Sequence, residues 1–199
     1  MYDHFDALIF DMDGTLVDSG QLHEFAWSAI LEKYSIPIDR PLMRSLAGVP
    51  TIGTLAILLE KFNCKPMVSL LEMNAVKEKY VHEHMHKFIK PTALKEIAQH
   101  YFGKKPMAVG TGANTVEAKT ILKLCGLDIY MGAIVGADQV KNPKPAPDTF
   151  LRCAELLGVA AKNCVVFEDA KLGLQAAEAA GMVGIDVLIT HSIENNYFL

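Results

Sequence analysis

The chain has 199 residues, 51% hydrophobic and 21% charged, with a net charge of -4 and a sequence pI near 6.0. That length suits one domain, or one domain carrying a smaller insertion, with a substantial buried core. The mild acidity and the lack of a basic stripe argue against nucleic acid as a partner. Cys64, Cys125, Cys153 and Cys164 stand far apart with no C-x-x-C pair, which suits neither a zinc site nor a disulfide framework and points to reduced thiols in a cytoplasm. The stretch MYDHFDALIF does not read as a signal peptide, and no apolar run is long enough to span a membrane.

Leu8 to Phe10 predict a first strand, and its continuation through Asp11 would aim Asp11 and Asp13 at one face. At about 7 Å and an effective dielectric near 20, two such charges repel by roughly 2 to 3 kcal/mol, so a positive group is expected between them. From Asp18 to about Lys87 the pattern is helical, in QLHEFAWSAILEKYSI, TIGTLAILLEKF and MVSLLEMNAVKEKYVHEHMHKF, with no convincing strand. Crossing strands near Val17 and Lys90 frame this insertion, and Pro91 in FIKPTALKEI marks the return.

Four more short apolar segments follow, MAVGTG, AIVGAD, CVVFED and MVGIDV, and these are strand candidates. Between them run helical patterns with Gly126, Gly158 and Gly181 as stops, the last over GLQAAEAAGM. Strands alternating with helices predict an α/β fold. Its Rossmann-like parallel sheet core, flanked by helices, takes residues 1–17 and 88–199, and a small all-helical cap takes residues 18–87.

In an open parallel sheet, ligands bind beyond the carboxyl ends of the strands. The residues there are Asp11 and Asp13, Thr111, Glu168 and Asp169, with Lys144 in KNPKPAPDTF. Carboxylates of this number suit a hard cation such as Mg²⁺ through oxygen ligands. Thr111, with Gly112 and the backbone amides of the Gly110–Ala113 loop, suits phosphate oxygens, and Lys144 adds positive charge. The set is coherent as phosphoryl transfer, with Asp11 as nucleophile and Asp13 moving a proton. Singly, each residue has a plainer reading: DMDGT as a turn, Thr111 as a helix N-cap, Glu168 and Asp169 as caps of the helix that follows.

DMDGT, the threonine of VGTG, the lysine of KPAPD and VFEDA resemble, in order, the four motifs of the haloacid dehalogenase-like superfamily. The arrangement is most similar to its β-phosphoglucomutase-like branch, over essentially the whole chain. The resemblance implies Asp11 as nucleophile, Asp13 as acid/base, and Thr111 and Lys144 as phosphate and charge partners. It implies Mg²⁺ at Asp11, at the backbone carbonyl of Asp13 and at Asp169, with Glu168 close by or ligating. An aspartate at position 13 favours phosphate esters over the dehalogenase and transport-ATPase chemistries of the superfamily.

His23 and Trp27 resemble the first cap helix of the mutase, where a histidine helps order the acid/base aspartate. However, Thr51 stands where the mutase has an arginine for a second phosphate, and Asn114 stands for a lysine of its SASKN-like loop. Each missing cation would forfeit charge-assisted bonds worth roughly 1.5 to 3 kcal/mol. The reading is therefore a cytoplasmic, monomeric, Mg²⁺-dependent phosphatase with a small phosphorylated sugar or sugar acid as its partner. Its substrate-binding residues are Thr111, Gly112, Asn114, Lys144, His23 and Thr51, and the sequence most resembles bacterial fructose-1-phosphate and 6-phosphogluconate phosphatases. A β-phosphoglucomutase and a catalytically silent phosphosugar-binding module are the alternatives. His82 and His86, a helical turn apart in HEHMH with His84 between them, lack an evident third metal ligand and read as a solvated helix end.

Overall fold

The computed structural model describes residues 1–199. Seven strands occur in chain order: β1 (Ala7–Phe10), β2 (Val17–Asp18), β3 (Lys90–Pro91), β4 (Met107–Gly110), β5 (Ala133–Val135), β6 (Cys164–Glu168) and β7 (Val183–Asp186). The α-helices are α1 (Gly20–Lys33), α2 (Arg40–Ser45), α3 (Thr51–Lys61), α4 (Leu70–Phe88), α5 (Leu94–Tyr101), α6 (Thr115–Leu124), α7 (Asp148–Leu157), α8 (Lys171–Ala179) and α9 (Val187–Thr190).

The chain divides into two compact units, Met1–Asp18 with Lys90–Asn195, and Ser19–Ile89 with Asn196–Leu199. The first holds a five-stranded sheet in the order β5-β4-β1-β6-β7 with every pairing parallel. Its central strands are buried along their whole length, which is why they read as unbroken apolar runs. One side of the sheet packs Ile9, Ala108 and Val166 against Phe150 and Cys153 of α7 and Ala176 and Ala177 of α8. Gly126, Gly158 and Gly181 follow α6, α7 and α8 in the left-handed region, where glycine alone carries no steric penalty. The short antiparallel pair β2-β3 sits where the chain leaves this unit and returns. The Thr92 hydroxyl closes it by donating to the Thr15 carbonyl at 2.6 Å.

The second unit is helical. α1, α3 and α4 share a core of Trp27, Ile30, Leu31, Leu55, Leu58 and Met73. α4 opens with a reciprocal capping box between Ser69 and Glu72. Asp39 caps α2 ahead of a proline in its first turn, a start signal present in IPIDRP although the sequence reading passed over this helix. Lys77 is buried with its ammonium 5.1 Å from the Trp27 ring centroid. In HEHMH, His82 and His86 are exposed, while the His84 ring lies tilted against Phe25 and bonds the Tyr80 carbonyl at 3.0 Å. Sequence reading assigned residues 88–199 wholly to the sheet unit, but the last four residues belong with the helices. There Phe198 joins the apolar core, its N–H donates to Glu24, and Arg40 holds the Leu199 carbonyl.

Candidate active site

Parallel register decides which residues meet. Phe10 pairs with Phe167, so Asp11, the residue after β1, comes level with Glu168 at the end of β6, and the Asp11 N–H donates to the Phe167 carbonyl at 2.9 Å. The strand stops at Phe10, one residue short of the expectation, so strand alternation does not set the directions of Asp11 and Asp13. Instead, the turn that follows is closed by Gly14 donating to Val17 and by a bridge from Asp13 to Val17.

The positive group beside Asp11 is a lysine side chain. Lys144, from the loop before α7, donates to Asp11 Oδ1 at 2.6 Å and to Glu168 Oε2 at 2.8 Å. All three side chains are less than one-tenth exposed, and the ammonium lies 4.6 Å from the Phe150 ring centroid. Burial alone would lower the lysine's pKa, but the two carboxylates outweigh it and raise the value. Asp11 moves well above the usual carboxylate range through burial, then through Glu168, with Lys144 opposing. The charges raising Asp11 include Glu168 and Asp169, from β6 and its following bend.

Asp11, Glu168 and Asp169 each offer one oxygen within 4.8 Å of the others, a set of donors that suits a hard divalent ion. Three carboxylates against one ammonium leave two negative charges to be balanced. Burial and Glu168 raise Asp169 to about 7, against hydrogen bonds from Asn195 and Thr15 that pull it down. Such resistance to ionisation is what a cation would relieve. The carboxylate of Asp13 lies outside this group, so its expected share in a metal site rests on its backbone carbonyl.

Thr111 follows β4, buried, with its N–H on the Val135 carbonyl at 2.9 Å and its hydroxyl accepting from Ala113 N–H at 3.1 Å. Beyond exposed Gly112, Asn114 caps α6, with its side-chain oxygen accepting from Glu117 N–H at 2.9 Å. The cap function expected of Thr111 thus falls to Asn114, whose amide oxygen is engaged in the helix. Nor is Glu168 the cap of α8: that position is Ala170, though Glu168 Oε1 does accept its N–H. His23 on α1 and Thr51 at the start of α3 belong to the helical unit.

Several participants escaped the sequence reading. The Thr15 hydroxyl donates to Asp169 Oδ1 at 3.0 Å and the Asn195 amide to Asp169 Oδ2 at 2.6 Å. Gly14 has φ of +81°, and a Cβ there would lie 2.5 Å from Asp169 Oδ2. α8 begins at Lys171, two residues before the expected start, so Gly173 is helical, and a Cβ on it would fall on the Glu168 carboxylate. A glycine where a helix former would serve is the local trace of that close approach.

A family model described as haloacid dehalogenase-like hydrolase matches residues 8–187. The chain belongs to that family. Among haloacid dehalogenase-like relatives, fructose-1-phosphate phosphatase YqaB of Escherichia coli K12 is 42% identical over 189 residues, covering 94% of this chain and 98% of its own. A phosphorylated carbohydrates phosphatase of Thermotoga maritima is 34% identical over 197 residues, 96% of this chain and 88% of that one. The crystal structure of a β-phosphoglucomutase from Clostridium difficile superposes with a TM-score of 0.80 at 25% identity, covering 97% of each chain. The family match takes in all of the large sheet but Ala7, and with it the Asp11, Lys144 and Glu168 cluster.

Proposed function

We propose that this hydrolase is a Mg²⁺-dependent phosphatase of small sugar phosphates, of the fructose 1-phosphate or 6-phosphogluconate type, acting through an aspartyl phosphate on Asp11. It is a phosphoric monoester hydrolase and a sugar-phosphate phosphatase of its family. The observation that carries the finer reading is the buried Lys144 bridge between Asp11 and Glu168, beside a third carboxylate.

Asp11, Glu168 and Asp169 would hold the Mg²⁺, which supplies charge for the phosphoryl oxygens. Lys144 orients Asp11 and opposes the burial and neighbouring charges that raise its pKa, so that a carboxylate oxygen attacks phosphorus and the P–O bond to the sugar breaks. Asp13 gives its proton to the departing alkoxide, then takes one from the water that attacks the aspartyl phosphate and frees Asp11. Thr111 and Lys144 bind the phosphoryl oxygens through these steps.

Hydrolysis is favoured over mutase chemistry because a mutase must hold a bisphosphate while it turns. Position 51 carries a neutral threonine, and Asn114 is engaged as a helix cap. Phosphate release from a sugar-phosphate panel, run with Mg²⁺ and with EDTA, is expected to show Mg²⁺-dependent turnover on fructose 1-phosphate, 6-phosphogluconate or both. Conversion of β-glucose 1-phosphate to glucose 6-phosphate with little free phosphate would reverse the assignment. Binding without turnover of any sugar phosphate would leave a silent binding module.

The charge balance also gives a pH dependence. Asp169, raised to about 7 from a usual value near 4, takes up protons on folding, so its contribution is fully present below about pH 4 and is lost as the pH rises through 7. The Mg²⁺-free protein is therefore expected to melt at lower temperature at pH 8 than at pH 5.5, and Mg²⁺ to raise the midpoint more at pH 8. Melting curves at both values, with and without Mg²⁺, check this; an equal Mg²⁺ effect at the two would contradict it.

A further inference from the structure

We infer that Asn195 is a positioning residue of the metal site, fixing the Asp169 carboxylate for the cation from the opposite side to Thr15. This rests on the proposed Mg²⁺ site at Asp11, Glu168 and Asp169.

Thr15 donates to Oδ1 of Asp169 and Asn195 to Oδ2, at 3.0 and 2.6 Å. Each oxygen has one donor, which fixes the rotation of the carboxylate about its last bond and leaves a further lone pair on each oxygen for a ligand. The Gly14 backbone packs against the same pair, for a Cβ there would lie 2.5 Å from Asp169 Oδ2 and 2.8 Å from Asn195 Nδ2. Asp169 is thereby held between the first strand's turn and a segment far along the chain. Partners of this kind set ligand orientation, and their loss typically lowers metal affinity or activity by about 10- to 100-fold.

Asn195→Ala removes the donor, and Asn195→Leu removes it while keeping most of the volume. Mg²⁺ binding by calorimetry in the absence of substrate is expected to weaken about 10- to 100-fold in both. At saturating Mg²⁺, kcat is expected to recover toward the parent value with the sugar-phosphate KM unchanged, while the Mg²⁺-free melting midpoint stays within about 2 °C, a shift of roughly 1 kcal/mol or less. Mg²⁺ affinity within twofold of the parent in both variants overturns the inference. If the parent binds no Mg²⁺, the metal reading itself fails, a result distinct from equal binding by parent and variants.

Discussion

Asp11→Asn is expected to abolish turnover while leaving the Mg²⁺-free fold at least as stable as the parent. The loss of activity follows from the proposed chemistry: an amide oxygen cannot form the acyl phosphate, and removal of a nucleophile typically costs between about 10³- and 10⁶-fold in rate. The stability sign follows from the surroundings. Asp11 is buried among Glu168 and Asp169, and those effects outweigh its bond to Lys144, so its charge is less favourable in the folded chain than in the unfolded one. Asparagine keeps the shape, still offers an oxygen to Lys144 and removes that charge. Lys144 keeps Glu168 as an ionic partner at 2.8 Å. Phosphate release with Mg²⁺ added, and denaturant unfolding without it, check the two halves on the same preparations. Retained turnover would exclude Asp11 as nucleophile, and a destabilisation above about 1 kcal/mol, well outside the usual range for a site without a buried defect, would show that the Lys144 bond dominates.

Local patterns reached the strands and helix stops for a physical reason. β1, β4 and β6 lie between helical layers and so carry no polar interruption, and Gly126, Gly158 and Gly181 mark conformations that side chains resist. The motifs also placed Asp11, Lys144 and Glu168 at one end of the sheet. Their energetic partners were not legible, because these are set by register and topology. Asp11 meets Glu168 since β1 lies beside β6, although the residues are far apart in sequence. The roles of Thr111 and Asn114 differ by where α6 begins, an offset of a few residues that sequence patterns resolve poorly. Asn195 carries no local signature, for an asparagine near an irregular end of the chain reads as solvated until Asp169 is found within 2.6 Å of it.

Lys144→Met carries the largest expected cost in stability. The methionine keeps a flexible chain over the Phe150 ring but leaves Asp11 and Glu168, each less than one-tenth exposed, facing each other without the ammonium. Removing one member of a buried ion pair typically costs about 3 to 5 kcal/mol, because the remaining charge stays desolvated. For a chain of this size that corresponds to a fall of roughly 6 to 20 °C in melting temperature. The carboxylates limit the damage by taking up protons, so the deficit is expected to be smaller at pH 5 than at pH 8. Mg²⁺ is expected to restore part of the stability, since it supplies charge at the same carboxylates, but not the turnover, since Asp11 has lost the donor that orients it. Lys144→Arg is a poor rescue because the guanidinium is broader and forked, and the Lys144 site places a single nitrogen between two oxygens. Melting curves of the methionine variant at both pH values, with and without Mg²⁺, separate these contributions. A deficit independent of pH would mean that the cost comes from lost packing on Phe150 and not from the unbalanced charge.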